Sequence, residues 1–286
     1  MEVEVKRVLN KHRRDSWFLD DFSLNPYYSC DFNCVYCYVK GSKYGSEKFA
    51  VKINSPRVLS RELFKFSKKK TFGFIALSSA TEPWMKAEKK YMVTRKCLEV
   101  IASYRFPVHC LTKSNLILRD LDLISEIKER AIVPEDLKPL DGALITISIS
   151  TLDEKMSRIF EPGAPRPKER LETLWRIKED GFRAGIAFIP LLPFISDTEE
   201  CIEDMVRSAR EYGADYVFFG SLTLHGIGKE HYLRVIEKKF PELIENYSRI
   251  YRRDYPPKTY QRFITSRAKF YCEKYGVSLG IKYDRG

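Results

Sequence analysis

Short apolar runs alternate with longer amphipathic stretches from one end of the chain to the other. A short apolar run is typical of a strand that is buried on both faces, and the amphipathic stretch after it is typical of a surface helix. This order predicts repeated βα units around one parallel sheet. The predicted strands are residues 22–28, 72–78, 106–111, 144–149, 184–189 and 216–219.

Start and stop signals bound the predicted helices. Pro56 suits the first turn of a helix, Asp120 is a predicted N-cap, and Gly181 suits the position just after a helix end. Ahead of the first strand, a lead-in that contains Trp17-Phe18-Leu19 is expected to dock on the core. The predicted helices are residues 57–68, 85–104, 120–130, 168–180 and a stretch between 197 and 213.

The chain from about residue 226 is predicted to be helical, over 230–252 and 259–274. No internal linker divides the chain, so we predict a core barrel with a short lead-in at 1–225 and a helical cap at 226–286 that is not an independent domain. The aromatic residues of the cap either stack on nucleic-acid bases or pack on the core, and their helical spacing favours packing. They are Tyr247, Tyr251, Tyr255, Tyr260, Phe263, Phe270 and Tyr271.

Composition places the chain among soluble globular proteins. Of its 286 residues, 44% are hydrophobic and 31% are charged, which is sufficient for a full core. No run of about 18 apolar residues occurs, so no membrane association is expected. Residues 1–7 lack the apolar segment of a signal peptide. We therefore expect a cytoplasmic protein, whose cysteines serve as metal ligands, catalytic groups or buried thiols rather than disulfides.

The charge balance is basic, with 50 Lys and Arg against 39 Asp and Glu and a net charge of +11. A basic excess favours an anionic partner, and nucleic acid is the common one. The cations lie in scattered clusters, such as 68–70, 86–90 and 258–267. Solvated helix faces form similar clusters. A nucleic acid partner and a merely soluble basic surface therefore both stay open.

Cys30, Cys34 and Cys37 place three of the seven cysteines on one short stretch with the spacing C-x3-C-x2-C. Three thiolates on one loop can hold three corners of a [4Fe–4S] cubane and leave its fourth iron without a protein ligand. A structural zinc site closes its tetrahedron with a fourth Cys or His, and ferredoxin-type clusters use four cysteines. The next candidates are distant, at Cys97 and His109. The spacing therefore favours a cluster with one open iron.

This spacing, with the aromatic Tyr36 before the third cysteine, resembles the signature of the radical S-adenosylmethionine (SAM) superfamily. The resemblance implies an α/β enzyme with a partial (β/α)6 TIM-like barrel, a [4Fe–4S] cluster, SAM, and an electron donor such as a ferredoxin or flavodoxin. In that family, SAM is cleaved to methionine and a 5′-deoxyadenosyl radical, which abstracts hydrogen from the substrate. The resemblance implies that Cys30, Cys34 and Cys37 are the cluster ligands and that Tyr36 lies beside the adenine.

Polar residues at the ends of the other strands are the candidate SAM contacts, because the working side chains of parallel barrels lie at the carboxyl edge. Glu82-Pro83 resembles the end of the Gly-Gly-Glu-Pro element of the family, with Ala80-Thr81 in place of the glycines. Lys113 suits the SAM carboxylate, and a hydroxyl after the fourth strand suits the ribose. The predicted cofactor-binding residues are Tyr36, Ala80, Thr81, Glu82, Lys113, Ser148 and Ser150.

Further motifs of the chain include Ser23-Leu24-Asn25-Pro26-Tyr27, Leu111-Thr112-Lys113-Ser114, Phe160-Glu161-Pro162-Gly163-Ala164-Pro165, Arg170-Leu171 and Phe240-Pro241-Glu242-Leu243. Together they resemble the spore photoproduct lyase-related branch, whose lyase splits a thymine dimer in DNA. The resemblance implies hydrogen abstraction from a nucleic acid base or nucleotide, in DNA repair or nucleic acid modification. A small metabolite or a peptide is the alternative substrate, and a non-catalytic iron–sulfur electron carrier is the alternative from another class.

The chain departs from the lyase at the end of the second strand. The lyase has a cysteine there that returns a hydrogen to the product radical, and this chain has Ser78-Ser79. A serine O–H bond is too strong for that step. Cys110, near the end of the third strand, is the alternative thiol. Repair of spore photoproduct by the route of the lyase is therefore not expected.

Overall fold

The strands lie close to the apolar runs that predicted them. The computed structural model describes residues 1–40, 48–77 and 79–283. Ser78, the predicted last residue of the second strand, lies outside this part of the chain. The strands are β1 (Glu2–Val3), β2 (Leu9–Lys11), β3 (Asp20–Leu24), β4 (Tyr27–Tyr28), β5 (Ala50–Lys52), β6 (Phe74–Leu77), β7 (Val108–Thr112), β8 (Ala143–Ser148), β9 (Arg183–Leu191), β10 (Tyr216–Ser221) and β11 (Ser278–Leu279).

Helices follow the strands, and the predicted stop signals are confirmed at Gly181 and Gly213, with left-handed φ values of 75° and 78° just beyond their helices. Short 3-10 turns cover Asn115–Asp120, Glu135–Leu137 and Pro241–Leu243. The α-helices are α1 (Ser55–Lys68), α2 (Glu88–Tyr91), α3 (Val93–Tyr104), α4 (Leu121–Arg130), α5 (Glu154–Phe160), α6 (Pro167–Glu179), α7 (Glu199–Glu211), α8 (Gly226–Lys239), α9 (Ile244–Ile250) and α10 (Lys258–Tyr275).

The larger sheet has the strand order β11-β10-β9-β8-β7-β6-β3-β2, and a smaller sheet has the order β1-β5-β4. In the larger sheet, every neighbouring pair is parallel except β2 with β3. Strands β3 and β6 to β10 correspond to the six predicted strands. Within the described chain, the edge strands β2 and β11 do not pair, so the sheet does not close. The predicted α/β class with a partial barrel is confirmed.

The first predicted strand, residues 22–28, is divided in the structure. β3 ends at Leu24. The next strand, β4 (Tyr27–Tyr28), is antiparallel to β5 in the smaller sheet. Pro26 explains the break, because proline has no backbone N–H for a strand ladder. The turn at Asn25-Pro26 delivers the cysteine loop to the carboxyl edge of the larger sheet.

Two predicted helices are also divided. The stretch 85–104 forms α2 and α3, because Met92 has a left-handed φ of 51° between them. The stretch 230–252 is interrupted at Pro241, where α8 has ended and a 3-10 turn leads into α9. A proline ring clashes with the preceding turn of a helix, so it cannot continue one.

Asp120 occupies the predicted N-cap position of α4. The helix α4 begins after a 3-10 turn, and the Asp120 side chain makes no capping bond. Its buried carboxylate instead accepts hydrogen bonds from Trp84 Nε1 and Arg95 Nη1, both at 2.9 Å. The residue therefore joins the α2–α3 region to α4 across the surface of the sheet.

The lead-in closes the amino end of the barrel, as predicted. The Phe18 ring lies 4.9 Å from the ring of Phe218, and Trp17 stacks on the same ring at 6.1 Å. The buried His109 bonds the Phe18 carbonyl through Nδ1 at 2.8 Å and Thr146 Oγ1 through Nε2 at 2.6 Å. Burial lowers the pKa of His109 to about 4, so the imidazole is neutral and donates from Nδ1. The lead-in thus packs on the interior residues at this end of the sheet.

The C-terminal segment packs directly on the cysteine loop. Val35 and Tyr36 belong to the same buried apolar cluster as Tyr232, Tyr247 and Tyr251. In addition, β11 pairs with β10 in the larger sheet. These contacts favour a cap that cannot fold by itself, and the division at residue 225 stays a prediction. In the described part of the chain, no helix has the length and apolar character needed to span a bilayer.

Candidate active site

The cysteine loop follows β4 and is held by backbone hydrogen bonds to another part of the chain. The Val35 N–H donates to the Phe160 carbonyl at 2.8 Å, at the end of α5. The Gly163 N–H donates to the Phe32 carbonyl at 3.0 Å. The loop is therefore fixed against α5 and the turn after it, at the carboxyl edge of the sheet.

Two glycines permit close contact with the loop from different elements. A Cβ atom on Gly163 would lie 2.6 Å from the Asp31 carbonyl oxygen and 2.7 Å from Phe32 Cα. A Cβ atom on Gly228, near the start of α8, would lie 2.9 Å from the Cys37 carbonyl oxygen. Neither position has room for a side chain. The cysteine loop is thus enclosed between the α5–α6 turn and α8.

The three thiols are half-buried among groups of both charges. Burial raises the pKa of Cys34 to about 12, against the positive charges of Lys113 and Arg170. Burial and the carboxylate of Glu82 raise the pKa of Cys30 to about 12. A bound metal deprotonates a coordinating thiol outright. Cys30 and Cys34 are therefore neutral thiols at neutral pH, and the charge of a bound metal group would be needed to ionise them.

The donor set suits a cluster better than a single ion. Within residues 1–40, 48–77 and 79–283, no three His, Cys, Asp or Glu side chains converge to hold one metal ion. In a cubane cluster, each thiolate binds a different iron atom. Three thiols on one loop can therefore hold the cluster without converging on a single position. Lys113 and Arg170 add positive charge beside Cys34, which favours an anionic thiolate-ligated cluster. The residues present fit a [4Fe–4S] group.

A buried ion pair anchors Tyr36, the residue before the third cysteine. The Tyr36 hydroxyl donates to Glu161 Oε1. Glu161 Oε2 lies 2.7 Å from Arg170 Nη2, and both side chains have 0% exposure. This contact is ionic, because it lacks the alignment of a hydrogen bond. Arg170 also donates to the Pro165 carbonyl at 2.8 Å and to the Ser148 carbonyl at 3.0 Å. The pair therefore ties the cysteine loop to the end of β8.

The protonation of this pair follows from its contacts. Burial alone would raise the pKa of Glu161, but the charges of Arg170 and Lys113 outweigh it and hold that pKa below its ordinary value. Burial and the Glu161 carboxylate raise the pKa of Tyr36 well above its ordinary value. Glu161 is therefore an anion that accepts a hydrogen bond from a neutral tyrosine.

Glu82 joins the ends of two neighbouring strands, β6 and β7. Its Oε1 accepts hydrogen bonds from Thr112 Oγ1 at 2.5 Å and from the Trp84 N–H at 3.0 Å. Its Oε2 accepts from the Lys113 N–H at 2.9 Å. Burial raises the pKa of Glu82, while these bonds oppose the shift. Since both carboxylate oxygens bond the chain itself, Glu82 shapes the turn after β6.

Asn25 organises the same turn from the end of β3. Its Oδ1 accepts hydrogen bonds from the Ala80 N–H at 2.9 Å and from Thr81 Oγ1 at 3.4 Å. Its Nδ2 donates to Ser79 Oγ at 2.9 Å. The turn that resembles the Gly-Gly-Glu-Pro element is therefore held from two neighbouring strand ends. Sequence reasoning used Asn25 only as part of a motif, and the signal for this role is an amide residue before proline at a strand end.

Lys113 and Ser148 meet at the mouth of the barrel. Lys113 Nζ donates to Ser148 Oγ at 3.0 Å, and both residues are half-buried. Ser148 lies on the same face of β8 as Thr146, which contacts the interior histidine. Ser150 differs, because it is fully buried. The structure thus separates two serines that the sequence left equivalent.

The predicted residues come from four strand ends and meet at one edge of the sheet. The residue that sequence reasoning missed is Arg170, which it named only within a motif. The signal was an arginine at a buried position of an amphipathic helix, which requires an acidic partner. Cys110 lies in the main apolar cluster between sheet and helices, and not with the barrel-facing residues of β7.

Comparisons with known proteins agree with this geometry. The family model described as Radical SAM superfamily matches residues 24–209. An uncharacterized protein of Mycobacterium tuberculosis is 27% identical over 288 residues, covering 97% of this chain and 81% of the relative. This similarity extends beyond the matched family segment to nearly the whole chain.

Two solved structures share the fold. Spore photoproduct lyase complexed with dinucleoside spore photoproduct has a TM-score of 0.67 and 15% identity, over 91% of this chain and 76% of that chain. Streptococcus suis SuiB bound to S-adenosylmethionine has a TM-score of 0.61 and 14% identity, over 92% of this chain and 49% of that chain.

Radical SAM proteins are enzymes that use a [4Fe–4S] cluster and SAM, and they generally need an electron donor. The predicted enzyme class and cofactors are thereby confirmed at the level of the family. The family match covers more than half of the chain and includes the cysteine loop, Glu82 and Lys113. The chain therefore belongs to the radical SAM superfamily.

Proposed function

We propose that this radical SAM enzyme abstracts hydrogen from a nucleic acid base or nucleotide, with Cys30, Cys34 and Cys37 as the cluster ligands. The observation that carries the ligand assignment is a single enclosed loop with three half-buried thiols, beside two cations at the carboxyl edge of the barrel. When bound, the cluster and SAM supply reductive cleavage of SAM to a 5′-deoxyadenosyl radical.

The side chains of this protein would bind and orient SAM. Lys113 is the cation at the mouth, and its ammonium would bind the SAM carboxylate by a charge-assisted hydrogen bond. The turn at Ala80-Thr81, held by Asn25 and Glu82, would present its backbone to the SAM amino group. Ser148 would meet the ribose, because it is the accessible serine of β8. Tyr36 would line the adenine, and the fully buried Ser150 would serve as support.

The substrate class has two supports. The motifs shared with the spore photoproduct lyase-related branch run along most of the chain, and the lyase of similar fold binds a dinucleoside. The net charge of +11 also favours a polyanionic substrate. The serines after β6 make the chemistry different from that of the lyase, because neither can return a hydrogen atom to a carbon radical.

The setting of the reaction follows from the same features. All seven cysteines are free thiols, which suits the reducing cytoplasm. We infer that the enzyme works there, with a ferredoxin or flavodoxin as its electron donor.

The ligand assignment is tested by anaerobic reconstitution of the wild type and of Cys30→Ala, Cys34→Ala and Cys37→Ala. The wild type should bind iron and sulfide, change its electron paramagnetic resonance spectrum when SAM is added, and form 5′-deoxyadenosine with dithionite. Each loop variant should lose the cluster, whereas Cys201→Ala, a half-buried thiol on α7, should keep it. Zinc in place of iron, or a spectrum that ignores SAM, would refute the assignment.

The substrate class is tested with the same reconstituted protein. Binding to single- or double-stranded nucleic acid should be present and should weaken steeply with salt. When the substrate is a deuterium-labelled nucleic acid, the hydrogen abstraction should also transfer deuterium from that nucleic acid into 5′-deoxyadenosine. Protein that cleaves SAM but binds no nucleic acid would exclude this class and leave a small metabolite or a peptide as substrate.

A further inference from the structure

A basic groove of about 590 Å³ runs between β2 and α1, on the edge of the larger sheet. The described residues that line it include six cations and one acidic residue, Glu62. Glu62 is occupied by the protein itself, because its Oε2 accepts hydrogen bonds from the Val8 and Leu9 N–H groups at 3.1 and 3.0 Å. The cations are Lys6, Arg7, Lys11, Arg61, Lys65 and Lys69.

The helix side of the groove carries a stripe of like charges. Arg57, Arg61, Lys65 and Lys69 follow one another at four-residue spacing along α1 and its C-cap. Neighbours at this spacing lie on one face of a helix, and like charges there destabilise it. Arg57 is paired with Glu4 at 3.4 Å, but the other three have no ion pair in the described part of the chain. Such a stripe favours an anion with several charges.

The spacing of the stripe indicates the shape of that anion. Four residues of helix rise by about 6 Å, which is close to the separation of successive phosphates along an extended nucleic acid strand. The strand side of the groove adds the exposed cations Lys6, Arg7 and Lys11, of which Arg7 lies 3.9 Å from Glu62 in an ion pair. A polyanion that lies in the groove would therefore meet positive charge on both sides.

Aromatic rings border the cations. Phe64 is 47% exposed, and the ammonium of Lys68 lies 4.7 Å from its ring centroid. Phe66 also lines the groove, with Lys11 5.7 Å from its ring centroid, but it is half-buried and packs edge-on against Phe22 at 4.9 Å, so Phe64 is the exposed ring of the pair. Proteins bind single-stranded nucleic acids with exposed aromatic rings among cations, because the bases stack on the rings while the phosphates contact the positive charges. An anionic membrane surface would not need a concave site of this kind.

One end of the groove lies beside the strand that leads into the candidate active site. Leu9 of β2 pairs with Leu24 of β3, and Leu24 directly precedes Asn25, which holds the predicted SAM-binding turn. We propose that the β2–α1 groove binds the phosphate backbone of a single-stranded nucleic acid whose reacting base enters the barrel mouth. This inference rests on the proposed substrate class, but the groove and the chemistry can fail separately.

The test compares Arg61→Glu/Lys65→Glu with Arg262→Glu/Lys269→Glu in the full-length reconstituted protein. The control pair lies on α10, and both of its residues are exposed. It changes the net charge by the same amount, and α10 also carries the exposed Phe263 and Phe270. The α1 variant should fold, because the new carboxylates lie four residues from Arg57 and Lys69 and form two favourable pairs, while the repulsion between positions 61 and 65 only replaces the one already there. Circular dichroism verifies this.

The probes are a fluorescent single-stranded DNA of mixed sequence and vesicles that contain anionic lipid. The α1 variant should bind the DNA at least about tenfold more weakly than the wild type. The slope of its log affinity against log salt concentration should be shallower than that of the wild type by about 1.4, as expected for two lost phosphate contacts. The α10 variant should bind like the wild type. Equal losses of DNA affinity in both variants, a larger loss in the α10 variant, or binding to vesicles but not to DNA would refute the proposal that the groove binds nucleic acid.

The same preparations separate this inference from the proposed function. Without nucleic acid, all three proteins should form 5′-deoxyadenosine from SAM and dithionite at the same slow rate, because neither pair is among the residues that hold the cysteine loop or the proposed SAM contacts. Protein that forms 5′-deoxyadenosine but does not bind DNA through α1 refutes the groove alone. Protein that binds DNA through α1 but forms no 5′-deoxyadenosine supports the groove and refutes the proposed chemistry.

Discussion

Replacement of Arg170 by methionine should expose how strongly the cysteine loop depends on the buried ion pair. Methionine keeps much of the volume and removes the charge, so Glu161 would be left as a buried carboxylate supported by the Tyr36 hydroxyl and the charge of Lys113. Breaking a buried pair from one side costs about 3–5 kcal/mol. Folded domains are stable by only about 5–15 kcal/mol, so we expect a large loss of stability in Arg170→Met.

The loss should depend on pH in a direction set by Glu161. In the wild type the pKa of Glu161 is lowered, so its contribution to stability is present above the ordinary glutamate pKa and is lost as pH falls through the lowered value. In Arg170→Met, burial would instead raise the pKa of Glu161. The variant would then regain stability as pH falls through that raised value, because the folded state takes up a proton. The difference between the two proteins should therefore shrink towards acid pH.

Urea unfolding of the cluster-free proteins between pH 5 and 8 measures this difference. The double variant Glu161→Leu/Arg170→Met should recover much of the lost stability, since a buried pair can be replaced by apolar groups at little cost. It should still bind less iron than the wild type, because Tyr36 has lost its acceptor. Arg249→Met, at an exposed pair with Glu245, is the control and should change little. A difference of under about 1 kcal/mol for Arg170→Met, or one that grows towards acid pH, would refute the reasoning.

Three further outcomes are expected at the mouth of the barrel. Lys113→Met should weaken SAM binding roughly tenfold to a hundredfold in calorimetry, because a hydrogen bond between charged groups contributes about 1.5–3 kcal/mol, whereas the exposed Lys86→Met should not. Gly163→Ala should lower the iron content per chain, because its Cβ would overlap the Asp31 carbonyl; Gly181→Ala, also strained but with open space around it, should keep the iron. A dinucleotide spore photoproduct incubated with SAM and reductant should stay unrepaired or give aberrant products by chromatography, and clean repair to thymines would show that a donor other than the strand-end cysteine of the lyase suffices.

Local patterns explain why most of the fold was predictable. The parallel strands are apolar along their whole length because helices cover the outer face and side chains fill the interior, and this appears in the sequence as short apolar runs. The misplaced boundaries have local causes too. Pro26 ended β3 early, Met92 divided a helix and Pro241 interrupted another, and each residue acts on the backbone of its own neighbourhood.

The sequence by itself predicted the cofactor class, because three cysteines with the spacing of the superfamily signature lie on one short stretch of chain. Only the tertiary structure decided what supports that loop. Tyr36 and Glu161 are 125 residues apart, and Glu82 bonds residues 30 and 31 positions away. The basic groove likewise joins β2 to α1 across about 50 residues of chain. Sequence motifs describe residues that are close along the chain. Contacts between residues far apart in sequence form only when the strands assemble in their register.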